Sequence, residues 1–229
     1  ILFDEASQVF IENTLPTIYR GKAIVVAGDS KQLRPTATFV KRYLGNDSDD
    51  DLDLATQAAL EVESLLDLAT SRYNSTNLTY HYRSKSEELI NFSNYAFYDG
   101  KLQIAPNVTK NIGNKPIERI KVNGRWLGRK NQEEAQAVVQ LLKKLIKNKK
   151  NKSSIGIVTF NTEQENAIED AIDNECQKDS AFRDAYLKEL NRKEDNEDTS
   201  IFIKNLENVQ GDERDIIIFS IGYARNEYG

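Results

Sequence analysis

Leu2-Phe3-Asp4-Glu5-Ala6-Ser7-Gln8 and, about twenty residues later, Val26-Ala27-Gly28-Asp29-Ser30-Lys31-Gln32-Leu33-Arg34-Pro35 decide the fold. Both grow out of short apolar runs, residues 1–3 and 23–27, which close on Asp-Glu and Gly-Asp. Runs this short, ended by glycine or acids, read as strands buried on both faces, the pattern of a parallel sheet. A carboxylate at the carboxyl end of such a strand stands where open α/β sheets place their ligands.

The same alternation continues outward from these two strands. Residues 47–53, with five aspartates, read as an exposed loop, and 57–69 as a helix with Ala58, Leu65, Leu66 and Ala69 among its apolar positions. A second helix is expected over 84–98, its buried side supplied by Leu89, Ile90, Phe92, Ala96 and Phe97 and its end marked by Asp99-Gly100. Residues 104–130 are rich in Asn, Gly and Pro, with one strand expected around 117–122. Over 131–147, Ala135, Val138, Val139, Leu142 and Ile146 follow helical spacing, and lysines crowd the last turn, where the helix dipole favours them. A strand at 155–160 is followed by a capping-box pattern at 162–165, a helix at 180–190, a charged connection at 191–199, and strands at 201–203 and 215–221. The expectation is an α/β fold of parallel sheets flanked by helices, without internal repeats.

Composition narrows the chemistry. The 229 residues are 39% hydrophobic and 29% charged, a globular balance, and no apolar run approaches the ~20 residues of a membrane span. Cys176 is the only cysteine and His81 the only histidine, which excludes an internal disulfide, a multi-cysteine zinc site and histidine-rich metal or triad chemistry. A single thiol fits a reducing compartment, and the cytoplasm is the expected location. The absence of methionine and a start inside an apolar strand lead us to expect an internal piece of a longer protein. Residues 101–152 hold fourteen Lys and Arg against three Glu, whereas the remainder carries 17 basic and 33 acidic residues. That stretch reads either as a solvated face or as a phosphate-tracking surface.

Four clusters carry the functional reading. Asp4-Glu5 at a strand tip has the general form of a Walker B element. Nucleoside triphosphate hydrolysis needs one carboxylate to hold Mg²⁺ and another to orient or deprotonate the attacking water. Gly28-Asp29-x-x-Gln32-Leu33-x-Pro35 resembles motif III of superfamily 1 helicases. Together with Asp4-Glu5-Ala6-Ser7 it is similar to the branch that contains the nonsense-mediated-decay and senataxin-type helicases. Thr79-Tyr80-His81-Tyr82-Arg83-Ser84 is similar to that family's motif IV, and Asn205-Leu206-Glu207-Asn208-Val209-Gln210-Gly211-Asp212-Glu213-Arg214-Asp215 to its motif V. Asn131-x-x-Glu134-Ala135 also matches the branch, with no role beyond capping assigned to it. Thr159-Phe160-Asn161-Thr162-x-Gln164 stands where the family has Thr-Pro-Tyr-x-x-Gln.

The resemblance implies a RecA-like P-loop NTPase fold: the carboxyl part of lobe one over 1–79 and most of lobe two over 80–229, with Mg²⁺ and ATP between them. It implies that Asp4 holds the metal, Glu5 acts as base, and Gln32 senses the γ-phosphate. Arg83 would be an arginine finger and Tyr82 would stack on the adenine, with Gln210, Gly211 and Glu213 at the nucleotide. Arg34, Pro35, Thr159 and Asn205 would touch single-stranded DNA or RNA. The family's Pro-Tyr is Phe160-Asn161 here, which departs from the pattern at that contact. No Gly-x-x-x-x-Gly-Lys-Ser/Thr occurs, so the isolated chain, expected to be a monomer, is expected to bind ATP poorly and not to hydrolyse it. The implied activity is ATP-dependent movement on nucleic acid. The alternatives are an ATP-gated clamp that does not unwind and a degenerate protein-binding scaffold.

Overall fold

The computed structural model describes residues 1–34, 64–84, 86–105, 115–148, 153–195 and 197–226. Pro35, Ala58, the aspartate run at 47–53 and the lysines at 149–152 lie outside the described residues. By internal contacts the chain forms two units, Ile1–Arg119 and Ile120–Gly229.

In the first unit β1 (Leu2–Phe3) pairs in parallel with β2 (Val25–Val26), Leu2 opposite Val25 and Phe3 opposite Val26. Helix α1 (Ile11–Ile18) connects them and holds Pro16 in its interior, where the missing N–H leaves one helical bond unmade. Helix α2 (Leu65–Arg72) starts at a capping box: Asp67 N–H donates to Ser64 Oγ and Ser64 N–H to Asp67 Oδ2, each at 3.2 Å. Ala6, Phe10, Leu65 and Ala69 are the buried apolar residues of this unit among those described.

A second parallel pair, β3 (Tyr80–His81) with β4 (Gln103–Ile104), brackets α3 (Glu87–Phe97). The helix begins three residues later than expected, and its apolar side is not buried: Leu89, Phe92 and Phe97 are 47%, 74% and 50% exposed. Two-residue strands are too small to cover an eleven-residue helix. Asn94 is what the helix buries, its amide donating to Leu102 O and accepting from Leu102 N–H, which pins the chain entering β4.

The second unit holds the larger core. Strands β5 (Ile155–Thr159), β8 (Phe202–Asn205) and β9 (Ile216–Ser220) form a parallel sheet in the order β8-β5-β9. Helices α4 (Gln132–Lys147), α5 (Thr162–Lys178) and α6 (Ser180–Leu190) share one apolar cluster with it, built from Val138, Leu142, Ile157, Ile168, Ile172 and Phe182 among others. Central β5 is buried at every position. A Cβ at Gly156 would stand 2.4 Å from the Phe202 ring, so only glycine lets that ring lie across the sheet. Asp215 sets the register: its carboxylate accepts from Ser154 N–H and Ser154 Oγ, both at 3.0 Å, where β5 and β9 begin.

Three expectations are corrected here. Residues 117–122 form no strand; Ile117 and Ile120 are 63% and 55% exposed and pair with nothing among the described residues. The charged connection expected at 191–199 contains two short strands, β6 (Lys193–Glu194) and β7 (Glu197–Asp198), paired antiparallel. Helix α5 is capped by Asn161, whose side chain accepts from Gln164 N–H at 2.8 Å, so the cap lies one residue before Thr162. No helix among the described residues is long and apolar enough to cross a membrane.

Candidate functional site

Strand β1 delivers Asp4 and Glu5 directly past its carboxyl end, both exposed. Ala6 N–H donates to Ala27 O at 2.9 Å, closing the β1 tip onto the β2 tip. A Cβ on Gly28 would meet Ala6 N at 3.1 Å and Ser7 N at 3.2 Å, so glycine at this point allows the two tips to touch. The bend is tight enough to put Glu5 in the left-handed region, φ 51° and ψ 38°. A non-glycine residue held there costs about 1–2 kcal/mol, and such strain gathers at functional sites. Asp4 Oδ1 accepts Glu5 N–H at 3.0 Å, which fixes the first carboxylate against the backbone of the second.

Asp29, at the neighbouring tip, organises the next turn. Its Oδ1 accepts Lys31 N–H at 2.9 Å, its backbone carbonyl accepts Gln32 N–H at 3.2 Å, and its Oδ2 accepts Gln32 Nε2 at 3.3 Å. The amide of Gln32 is therefore aimed by Asp29 rather than left to rotate. The same Oδ2 accepts the Tyr98 hydroxyl at 2.5 Å. Burial pushes the Tyr98 phenol up to about 12, and the Asp29 carboxylate adds to this by accepting its proton and repelling the phenolate. Arg34 is engaged by Asp67 of α2 at 3.5 Å.

Tyr82 and Arg83 occupy the turn after β3, both exposed, Tyr82 at 75%. His81 holds that turn: its Nε2 accepts Ser84 N–H at 3.1 Å and lies 2.9 Å from Ser84 Oγ. This one histidine is a brace.

In the second unit Thr159 faces Asn205 on one side and Ser220 on the other, forming a row at the carboxyl edge of the sheet. Thr159 is fully buried and its hydroxyl donates to Asn161 O at 2.9 Å, so in this conformation the hydroxyl is not offered to a phosphate. Asn205 is 9% exposed and donates to Thr162 Oγ1 at 3.2 Å, while its Oδ1 is buried without a hydrogen-bond partner among the described residues. Burial and Glu169 raise the Glu165 carboxyl above the ordinary range, against the lowering effect of hydrogen bonds from Asn205.

A polar network ties this edge to two helix starts. Asn131 N–H donates to Gln164 Oε1 at 2.7 Å, and Gln164 Nε2 donates to Asn131 O at 3.3 Å and Ser220 Oγ at 3.0 Å. Ser220 Oγ and Gly222 N–H both donate to Glu134 Oε1, at 2.7 and 2.9 Å. Asn131 Nδ2 donates to Gly222 O at 3.1 Å. The network gives Asn131 and Glu134 a task beyond helix capping, and it turns Gln164 inward.

Gln210, Gly211 and Glu213 lie between β8 and β9. Gly211 has φ +88°, and a Cβ there would meet nothing within 4 Å, so its glycine serves the backbone conformation and leaves the space above it open. Glu213 is exposed, and its carbonyl accepts Arg214 Nη1 at 2.7 Å. Sequence reasoning missed Trp126 and Tyr223, and it gave Tyr98 no role of its own. Nothing in their local pattern distinguishes them from core or surface aromatics.

Parallel strands tipped with acids and covered by helices define this as a RecA-like α/β protein. Residues 61–228 match the model of a family described as AAA domain, and the chain belongs to that family. Over its full length it is 38% identical, across 234 aligned residues, to the uncharacterized ATP-dependent helicase MG140 of Mycoplasma genitalium. It is 37% identical, across 232 residues, to the MG140 homolog of Mycoplasma pneumoniae. The chain spans 20% of the length of each of these relatives.

Proposed function

We propose that the chain is part of an ATP-dependent helicase or translocase of superfamily 1, in the nonsense-mediated-decay and senataxin-like branch, acting on single-stranded DNA or RNA. Residues 1–79 would contribute to one lobe and 80–229 to the other. The arrangement that carries this reading is the pair of strand tips in the first unit. Asp4 and Glu5 are exposed on one tip, and Gly28-Asp29 on the next aims Gln32. The names of the relatives support the same activity.

The residues fit Mg²⁺ and ATP. No group of three or more His, Cys, Asp or Glu that could hold a metal occurs among the described residues, so an ion here would complete its shell with phosphate oxygens and water. Asp4, a hard exposed carboxylate anchored to Glu5 N–H, suits that role. Bound Mg²⁺ would draw negative charge off the phosphate oxygens as transfer proceeds. Glu5 would accept the proton of the attacking water, and Gln32 would report the γ-phosphate through an amide that both donates and accepts. Arg83 would neutralise the charge that develops in the transition state, with Tyr82, Gln210, Gly211 and Glu213 placing the nucleoside and its phosphates. Arg34, Pro35, Thr159 and Asn205 would lie along the nucleic acid, Thr159 and Asn205 through the backbone they order.

The test is Glu5→Gln in the full-length protein. The variant keeps the size of the side chain and removes the base. ATP hydrolysis is expected to fall at least a hundred-fold, within the range general-base loss produces, while nucleotide binding persists. Unchanged hydrolysis refutes the assignment.

A further inference from the structure

Three aromatic rings meet at the carboxyl edge of the second unit's sheet. Trp126 and Tyr223 have centroids 4.7 Å apart at 42°, and Phe160 stands edge-on to Tyr223 at 6.5 Å. Phe160 is the first residue past β5, and Tyr223 is the third past β9. Tyr223 is 61% exposed and Phe160 41%, so two large aromatic faces stand open beside a well-packed core.

The cluster is built. Gly222 has φ +77°, and a Cβ there would lie 2.9 Å from Trp126, so the indole rests against bare backbone. Trp126 N–H donates to Arg225 O at 3.1 Å, which ties the ring's segment to the strand exit. Both chemical groups of Gly222 are held by the buried network, its N–H by Glu134 and its carbonyl by Asn131.

The surroundings select the ligand. Residues 115–130 carry six Lys or Arg and one Glu, and Lys121, Arg125, Lys130 and Arg225 are exposed. Arg129 is also exposed but engages Glu163 at 3.0 Å. Exposed π-faces flanked by cations match a strand of unpaired bases on a phosphate backbone.

We infer that Tyr223 and Phe160, backed by Trp126, form a base-stacking site for single-stranded nucleic acid at the exit of β5 and β9. This rests on the nucleic-acid reading above; Phe160 lies within the motif at 159–164, and Trp126 and Tyr223 lie outside every motif of that reading. The basic residues hold the backbone while the rings take the bases, so binding depends on ring area and little on base identity.

Trp126 is the only tryptophan in the chain, so its fluorescence reports the site directly. The 229-residue chain is titrated with oligothymidylate, and quenching of Trp126 is expected. Tyr223→Ala and Phe160→Ala should each weaken binding roughly ten-fold, the scale of one lost base stack, and Tyr223→Phe should bind like the parent. Tyr223 is 61% and Phe160 41% exposed, so both variants are expected to fold, which far-ultraviolet dichroism and melting verify. Tyr19→Ala, 93% exposed in the first unit, should have no effect. Salt-sensitive binding without quenching, or undiminished by either alanine variant, overturns the stacking site and leaves the ATPase reading to its own test. Absence of binding overturns the site as well, and a protein partner captured at the rings in place of oligonucleotide does the same.

Discussion

Gln164 and Asn131 exchange two hydrogen bonds in the interior of the second unit, the amide oxygen of Gln164 taking Asn131 N–H at 2.7 Å and its nitrogen giving to Asn131 O at 3.3 Å. Gln164 is 0% exposed and Asn131 1%. Neither can fall back on water, so each depends on the other to satisfy its polar groups. The pair joins the first turns of α4 and α5, and Ser220 joins β9 to them.

Gln164→Leu therefore leaves Asn131 N–H buried without its acceptor. One orphaned buried group costs about 1–3 kcal/mol, and a loss of roughly 2 kcal/mol is expected in urea unfolding monitored by circular dichroism. A midpoint equal to the parent's would mean that the network has another donor or acceptor in reserve.

Tyr98 and Asp29 give a pH signature. The phenol's folded value of about 12 lies above the ordinary 10.0, so the folded chain holds this proton more tightly than the unfolded one. The contribution to stability is complete below about pH 10 and is lost as pH climbs toward 12. Ultraviolet titration should show Tyr98 as a late phenol, together with the half-buried Tyr186, which is also pushed up to about 12. Asp29→Asn should bring Tyr98 down and leave Tyr186 late. If Tyr98 titrates where the parent's does, Asp29 does not add to the hold that burial has on its proton.

What could be read from the sequence was what short-range pattern encodes. Leu2–Phe3, Val25–Val26, Ile155–Thr159 and Ile216–Ser220 are apolar runs cut off by acids, glycine or polar turns, and all four are parallel strands. Helix α4 was legible because Ala135, Val138, Val139 and Leu142 recur at helical spacing and all are buried. Tyr80–His81 and Gln103–Ile104 escaped notice because two-residue strands of mixed polarity carry no period; their pairing is decided by Asn94 and α3. Residues 117–122 show the opposite failure, an apolar pattern with no neighbouring strand among the described residues to receive it. In the candidate site, the carboxylates were legible because strand tips are. Thr159 read as a ligand contact by likeness, and only the three-dimensional packing turns it and Gln164 inward. The ring cluster joins Trp126, Phe160 and Tyr223 from three distant segments, a juxtaposition no local pattern announces.

Asp179 is expected to contribute to the acid sensitivity of the second unit. It caps α6 by accepting Phe182 N–H at 3.0 Å and lies 2.8 Å from Lys143, which also pairs with Glu175. The Lys143 hydrogen bond, then the Phe182 N–H, holds this carboxyl at about 2, below the ordinary 3.8. A depressed value means stability present above about pH 4 and lost as pH falls toward 2. Asp179→Asn should flatten that part of the stability profile, measured as urea midpoints across the range. A profile as steep as the parent's would place the acid sensitivity elsewhere.

The central claim is that Glu5 and Arg83 act on one triphosphate, and a double-mutant cycle on ATP turnover by the full-length protein tests it most directly. Glu5→Gln and Arg83→Ala should each slow turnover by roughly a hundred-fold or more. If the two groups serve the same transition state, the double variant should be about as slow as the worse single variant, because residues that act as a unit are not additive. Losses that multiply, or a single variant that turns over ATP like the parent, would contradict the account.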